Sequence, residues 1–112
     1  FTILSGDDAL TLPFMSVGAQ GAISVASNLI PKQLSKMVHS CLKGDHKAAL
    51  KLHEKYYSLF KDLFIETNPV PVKAALAMKG LLKEEYRLPL VKMNPDNRRH
   101  LRGTLKAVGV IK

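Results

Sequence analysis

The sequence predicts an α/β chain in which two βα units are followed by a run of helices, so that most residues are helical. Three observations predict it. Two short apolar runs, Phe1–Leu4 and Ala22–Val25, each stop at small polar residues and then feed a helix-like segment, the grammar of consecutive βα units. The first thirty residues carry Asp7 and Asp8 but no Lys or Arg, as an enclosed sheet and its inner loops require. Beyond them apolar residues recur at helical spacing, and all 17 basic residues appear there, as on helices with solvated outer faces. Two strands make a poor sheet by themselves. A chain that opens inside an apparent strand leads us to expect a further N-terminal part.

The first run, Phe1-Thr2-Ile3-Leu4, passes into Ser5-Gly6-Asp7-Asp8. Asp7 or Asp8 can N-cap a helix over about Ala9–Val17, with Gly18 as its stop. Leu10, Phe14 and Val17 fall on one face of it and are expected inside. Pro13 lacks a backbone donor, so this helix should be short or kinked. The second run, Gly21-Ala22-Ile23-Ser24-Val25, leads into Ala26-Ser27-Asn28.

Pro31 suits a first helical position, and Leu34, Met37, Val38, Cys41 and Leu42 form a stripe that ends at Gly44. Asp45 caps the longest helix, about His46–Phe64, with Ala49, Leu52, Tyr56, Leu59, Phe60 and Leu63 on its buried side and Lys47, Lys51, Lys55 and Lys61 outside. Asn68-Pro69-Val70-Pro71 should be extended, because proline disfavours the helical region for its predecessor. A short helix over about Pro71–Lys79 follows, then an extended connector at Arg87-Leu88-Pro89-Leu90. Asn94-Pro95-Asp96 starts the last helix, whose inner face is Leu101, Leu105 and Val108 and whose stop is Gly109.

Composition excludes several classes. No apolar stretch approaches the roughly 20 residues of a membrane span. The opening Phe1-Thr2-Ile3 shows no basic region or cleavage site, so no signal peptide is read. Cys41, the single cysteine, permits no internal disulfide and no thiolate metal site, fits a reducing compartment, and sits on an apolar stripe as a buried thiol.

Few residues bear chemistry. Gly6, directly after a strand, lets backbone approach a small ligand, although a plain tight turn also explains it. Asp7 and Asp8 suit acid–base or metal roles, yet capping accounts for at least one of them. His39, His46, His53 and His100 lack metal-ligand pairing with a carboxylate, which favours surface roles. Lys73 follows a proline-rich turn rather than a strand end, so a solvated or snorkelling amine is preferred to a Schiff base. Arg98-Arg99-His100-Leu101-Arg102 lacks the aromatic interleaving of a nucleic-acid module and reads as a solvated helix face. A basic helical nucleic-acid-binding module is the alternative from another class, suggested by the net charge of +8.

The motifs Leu4-Ser5-Gly6-Asp7-Asp8-Ala9 and Gly21-Ala22-Ile23-Ser24-Val25, then Asn68-Pro69-Val70-Pro71-Val72-Lys73 and Arg87-Leu88-Pro89-Leu90, stand in a familiar order. In order and spacing they resemble the dihydrodipicolinate synthase (4-hydroxy-tetrahydrodipicolinate synthase) family of class I pyruvate-dependent aldolases, across essentially the whole chain. The resemblance implies the last two βα units of a (β/α)8 TIM barrel in residues 1–43 and a C-terminal three-helix extension in residues 44–112. It implies a lyase of lysine and diaminopimelate biosynthesis that condenses pyruvate, held as a Schiff base on an upstream lysine, with aspartate semialdehyde. Gly6 and Ile23 match residues lining the pyruvate pocket, and Asp7 matches one beside the second substrate's approach. The family's Schiff-base lysine, its tyrosine and threonine proton relay and its carboxylate-binding arginine would lie before Phe1, so the chain alone is expected to be inactive. The same resemblance implies a cytoplasmic homotetramer, a dimer of dimers, with no cofactor, metal, nucleic acid or membrane partner. An N-acetylneuraminate lyase or keto-deoxy sugar-acid aldolase on the same scaffold is the nearby alternative.

Overall fold

The computed structural model describes residues 1–112 and carries five α-helices: α1 (Thr11–Ser16), α2 (Pro31–Leu42), α3 (His46–Asp62), α4 (Val70–Met78) and α5 (Pro95–Ala107). Short 3-10 turns at Asp8–Leu10 and Ala26–Asn28 precede α1 and α2. Packing divides the chain into Phe1–Tyr57 and Ser58–Lys112, with the division inside α3. The sequence expectation placed a boundary at 43/44, before α3.

In Phe1–Tyr57 the expected strands are reduced to one parallel bridge, Ser5 with Ala22. Two backbone hydrogen bonds make it, Ser5 N–H to Gly21 O at 2.9 Å and Ile23 N–H to Ser5 O at 2.8 Å, and Gln20 N–H to Ile3 O at 2.9 Å lies beside it. The runs Phe1–Leu4 and Ala22–Val25 are therefore paired only where they meet each other. A ladder needs neighbours, and Ile3, Leu4 and Ile23 remain 54%, 45% and 70% exposed.

The helix expected over Ala9–Val17 begins as the 3-10 turn, and the α-helix proper starts at Thr11. Pro13 thereby falls in the first turn, where its missing N–H has no intrahelical partner to lose. This removes the predicted conflict. The expected inner face is the wrong one: Leu10, Phe14 and Val17 are exposed, whereas Asp8, Ala9, Thr11 and Met15 are buried. A 3-10 turn rotates about 120° per residue against about 100° in an α-helix, so a face counted at 3.6 residues per turn is turned away. α1 and the second 3-10 turn both pack on α2. There Leu34, Met37 and Cys41 are buried, but Leu42 at the helix end is exposed. Burial pushes the Cys41 thiol pKa up.

The Asp45 carboxylate caps α3 by accepting from Ala48 N–H at 3.0 Å. Gly44 before it has φ of 80°, the left-handed conformation that closes α2 and that a side chain would strain. α3 stops at Asp62, two residues before the expected end. Within Ser58–Lys112, α4 packs on α5 around Leu59, Phe60, Leu63, Val70, Ala74, Leu101 and Leu105, all nearly fully buried.

Two stretches expected to be extended are turns. Asn68–Pro69 and Leu88–Pro89 are cis. Val70 N–H donates to Thr67 O and Leu90 N–H to Arg87 O, each at 3.0 Å, closing type VI turns with proline at the third position. Val70 is consequently the first residue of α4, one earlier than expected. At α5 the expectation and the structure agree: Asn94 caps by accepting from Asp96 N–H at 2.9 Å, and Leu101, Leu105 and Val108 are buried.

Candidate active site

The paired strand ends place the candidate residues. Ser5, fully buried, donates its hydroxyl to the Asp7 carbonyl at 2.7 Å and accepts from Asp7 N–H at 3.2 Å, which folds the backbone back at Gly6. Thr11 Oγ1–H and Leu10 N–H also donate to the Asp7 carbonyl. The Asp7 carboxylate accepts from Ala9 N–H at 2.8 Å and so is the cap left open between the two aspartates. Asp8 is buried and reaches across: its Oδ2 accepts from Val25 N–H at 3.1 Å and Ala26 N–H at 2.8 Å. On the second loop, Ser24 and Ser27 exchange hydrogen bonds, side chain to backbone, at 2.9 Å each.

Gly6 and Ile23 are thus brought to neighbouring strand ends, since Ile23 N–H binds the carbonyl of the Ser5–Gly6 peptide. Both residues and Asp7 are exposed. A Cβ at Gly6 would meet nothing within 4 Å, and its φ is not positive, so neither the turn nor the chain's own packing demands glycine there. Such an open backbone surface can receive a small ligand closely. It offers no nucleophile of its own: no lysine occurs in the first thirty residues, and the Asp7 carboxylate is engaged as a cap. A cavity of about 330 Å³ lies elsewhere in the same unit, between Leu4, Ala22, Ser27, Leu34, Val38 and His39. Gly6, Asp7 and Ile23 do not line it.

The other sequence candidates are structural. Lys73 Nζ donates to the Glu85 carbonyl and lies 5.1 Å from the centre of the Tyr86 ring, so it is fastened rather than solvated. The basic run on α5 is largely paired: Arg98 with Glu84 at 2.6 Å, Arg99 with Asp96 at 2.9 Å, and His100 with Asp62 at 3.1 Å. Asp62 also accepts from the Thr104 hydroxyl at 2.5 Å. No group of three His, Cys, Asp or Glu side chains has a metal-holding arrangement. No helix is long and apolar enough to cross a membrane.

Tyr86 donates to Glu84 at 3.0 Å, and its pKa is pushed up to about 12, first by burial and then by the Glu84 hydrogen bond and charge. The folded state therefore favours the neutral phenol. The resulting stability is fully present below the unfolded value near 10 and is lost as pH rises from there to about 12. In a 295 nm titration a tyrosine step should appear at about pH 12, and Tyr86→Phe should delete it. Completion of all tyrosine ionisation by pH 10.5 would contradict this.

A parallel bridge whose two segments each lead into a helical turn, followed by a run of helices, is an α/β arrangement of the βα type. The chain belongs to the dihydrodipicolinate synthetase family, whose model matches residues 1–108. It is 54% identical over 112 residues to the 4-hydroxy-tetrahydrodipicolinate synthase of Koribacter versatilis (strain Ellin345), covering all of this chain and 37% of that one. Among solved structures, the 4-hydroxy-tetrahydrodipicolinate synthase of Methylacidiphilum fumariolicum SolV superposes with a TM-score of 0.96 at 57% identity, over 97% of this chain and 36% of that one. The dihydrodipicolinate synthase of Aquifex aeolicus does so with a TM-score of 0.96 at 48% identity, over 98% and 38%. The chain therefore spans under two-fifths of the length of these relatives. The correspondence explains the sparse strands: the relatives are complete barrels, and these residues match only the end of one.

Proposed function

We propose that these residues are the C-terminal part of a 4-hydroxy-tetrahydrodipicolinate synthase, with the last two βα units of the barrel in residues 1–43 and a helical extension in residues 44–112. The whole enzyme condenses pyruvate with aspartate semialdehyde in the cytoplasm, as a homotetramer. Pyruvate is held as a Schiff base on a lysine outside these 112 residues, so the chain alone is inactive. Gly6 and Ile23 form part of the pyruvate pocket wall, and Asp7 lies beside the entry of the second substrate. The observation that carries this reading is the Ser5–Ala22 pairing, which sets Gly6 and Ile23 side by side at the strand ends where barrel enzymes build their sites.

The test is turnover of pyruvate with aspartate semialdehyde by the whole protein that contains this chain. Turnover only with a sugar-acid aldehyde would reassign it to a related aldolase. Gly6→Ala in that protein should leave thermal stability within about 0.5 kcal/mol, since the new methyl group meets nothing in the chain. It should weaken pyruvate binding by roughly tenfold to a hundredfold, the effect of one methyl group forced into a close contact. Equal pyruvate affinity in the variant removes Gly6 from the pocket.

A further inference from the structure

We propose that Asp8 is a positioning residue that sets the spacing between the two strand ends carrying Gly6 and Ile23; the inference rests on the reading of those residues as pocket walls. Backbone pairing between the two segments ends at Ile23 N–H, which binds Ser5 O. Beyond that bond the hydrogen bonds joining the Gly6 loop to the Ile23 loop come from Asp8, through Val25 N–H at 3.1 Å and Ala26 N–H at 2.8 Å. Asp8 itself is held in a turn built on Ser5 and Thr11, both fully buried, so the carboxylate passes the rigidity of the first loop to the second. The Ile23 side chain is 70% exposed and has little packing to hold it, so its place depends on its backbone. That backbone is anchored on one side by Ser5 and on the other, two residues later, by Asp8.

The manner of binding also favours positioning over simple stabilisation. Both N–H groups converge on Oδ2, while Oδ1 is buried and accepts no hydrogen bond. A buried carboxylate with half its acceptor capacity unused is a costly way to satisfy two amides. Its gain is in bond strength, because an ionised acceptor makes shorter and stronger hydrogen bonds than a neutral one. A stiff joint between two ligand-bearing loops needs that strength.

The experiment compares Asp8→Ala, Asp8→Asn and Asp8→Glu with the native residue in the whole protein. Two readouts are taken: hydrogen exchange of the peptide covering residues 23–28, and pyruvate affinity with the KM of each substrate. Asp8→Ala should accelerate exchange in that peptide and weaken pyruvate binding by about tenfold to a hundredfold, the loss of charge-assisted hydrogen bonds. The KM for aspartate semialdehyde should change less than that for pyruvate. Asp8→Asn keeps an oxygen for both amides but loses the charge, so it should recover only part of the affinity. If the alanine variant does not fold, Asp8→Glu carries the test, because it preserves the charge, displaces the acceptor and should weaken pyruvate alone. Native pyruvate affinity in Asp8→Glu, or no recovery in Asp8→Asn, overturns the proposal. A native protein that binds no pyruvate overturns the pocket reading instead, and faster exchange at residues 23–28 in Asp8→Ala would still support the brace.

Discussion

Phe60→Ala should lower the free energy of unfolding by about 3–5 kcal/mol, the largest single effect expected in the chain. Phe60 lies on the second half of α3 and is 2% exposed, among the largest of the fully buried side chains. Truncation removes the ring's transfer free energy and leaves a cavity whose cost depends on how far its surroundings collapse. In the same unit Leu59, Leu63, Leu101 and Leu105 are each at 0% exposure, and a close-packed interior has little freedom to close on a void. Against the 5–15 kcal/mol of a typical domain, such a loss removes a large share of the stability. Phe60→Leu should cost much less, about 1–2 kcal/mol, because most of the volume remains. Urea unfolding of the three proteins measures both. A loss below 1 kcal/mol for the alanine variant would show that the ring is not an interior anchor.

Arg98→Ala should cost about 2 kcal/mol, more than a surface pair and less than a fully buried one. The guanidinium lies 2.6 Å from Glu84, whose side chain is only 12% exposed, while that of Arg98 is 39% exposed. Exposure of the arginine screens the attraction and holds the value below the buried limit. What remains after truncation is a largely desolvated carboxylate that also accepts from Tyr86. Removing a nearby positive charge pushes the Tyr86 pKa higher still, since Arg98 lowers it and Glu84 raises it. The double variant Arg98→Met, Glu84→Gln should regain most of the lost stability, because no uncompensated charge is left. Denaturation of Arg98→Met, Glu84→Gln and the double variant gives the coupling directly; additive losses would show that the pair contributes nothing as a pair.

The helices were legible wherever local chemistry and burial agree. α5 was readable in full because Asn94, Pro95 and Asp96 form a start signal independent of context, and because Leu101, Leu105 and Val108 lie on one face. α1 was not, because the 3-10 turn at Asp8–Leu10 rotates its face, and nothing in the residue spacing announces a change of helical pitch. The two proline motifs were visible as breaks but misread as extended, since the same residues serve either a trans connector or a cis turn. At the candidate site, the motifs pointed to Gly6 and Ile23, which the structure sets at neighbouring strand ends. The roles of the two aspartates were not separable, because a cap is set by local backbone and a brace by a loop seventeen residues away.

By itself the sequence determined the family, the order of helices and the residues at the strand ends. These depend on residue identity, on caps and on motifs read within a few positions. Only the tertiary structure decided which aspartate caps and which crosses to Val25 and Ala26, why Gly6 has open space above it, and that Lys73 and Arg98 are fastened to Glu85 and Glu84. The physical reason is common to all of these. Hydrogen bonds and burial between distant segments depend on where the backbone brings them, and a carboxylate or ammonium group is chemically the same residue whether it meets water, a neighbouring amide or a partner across the fold.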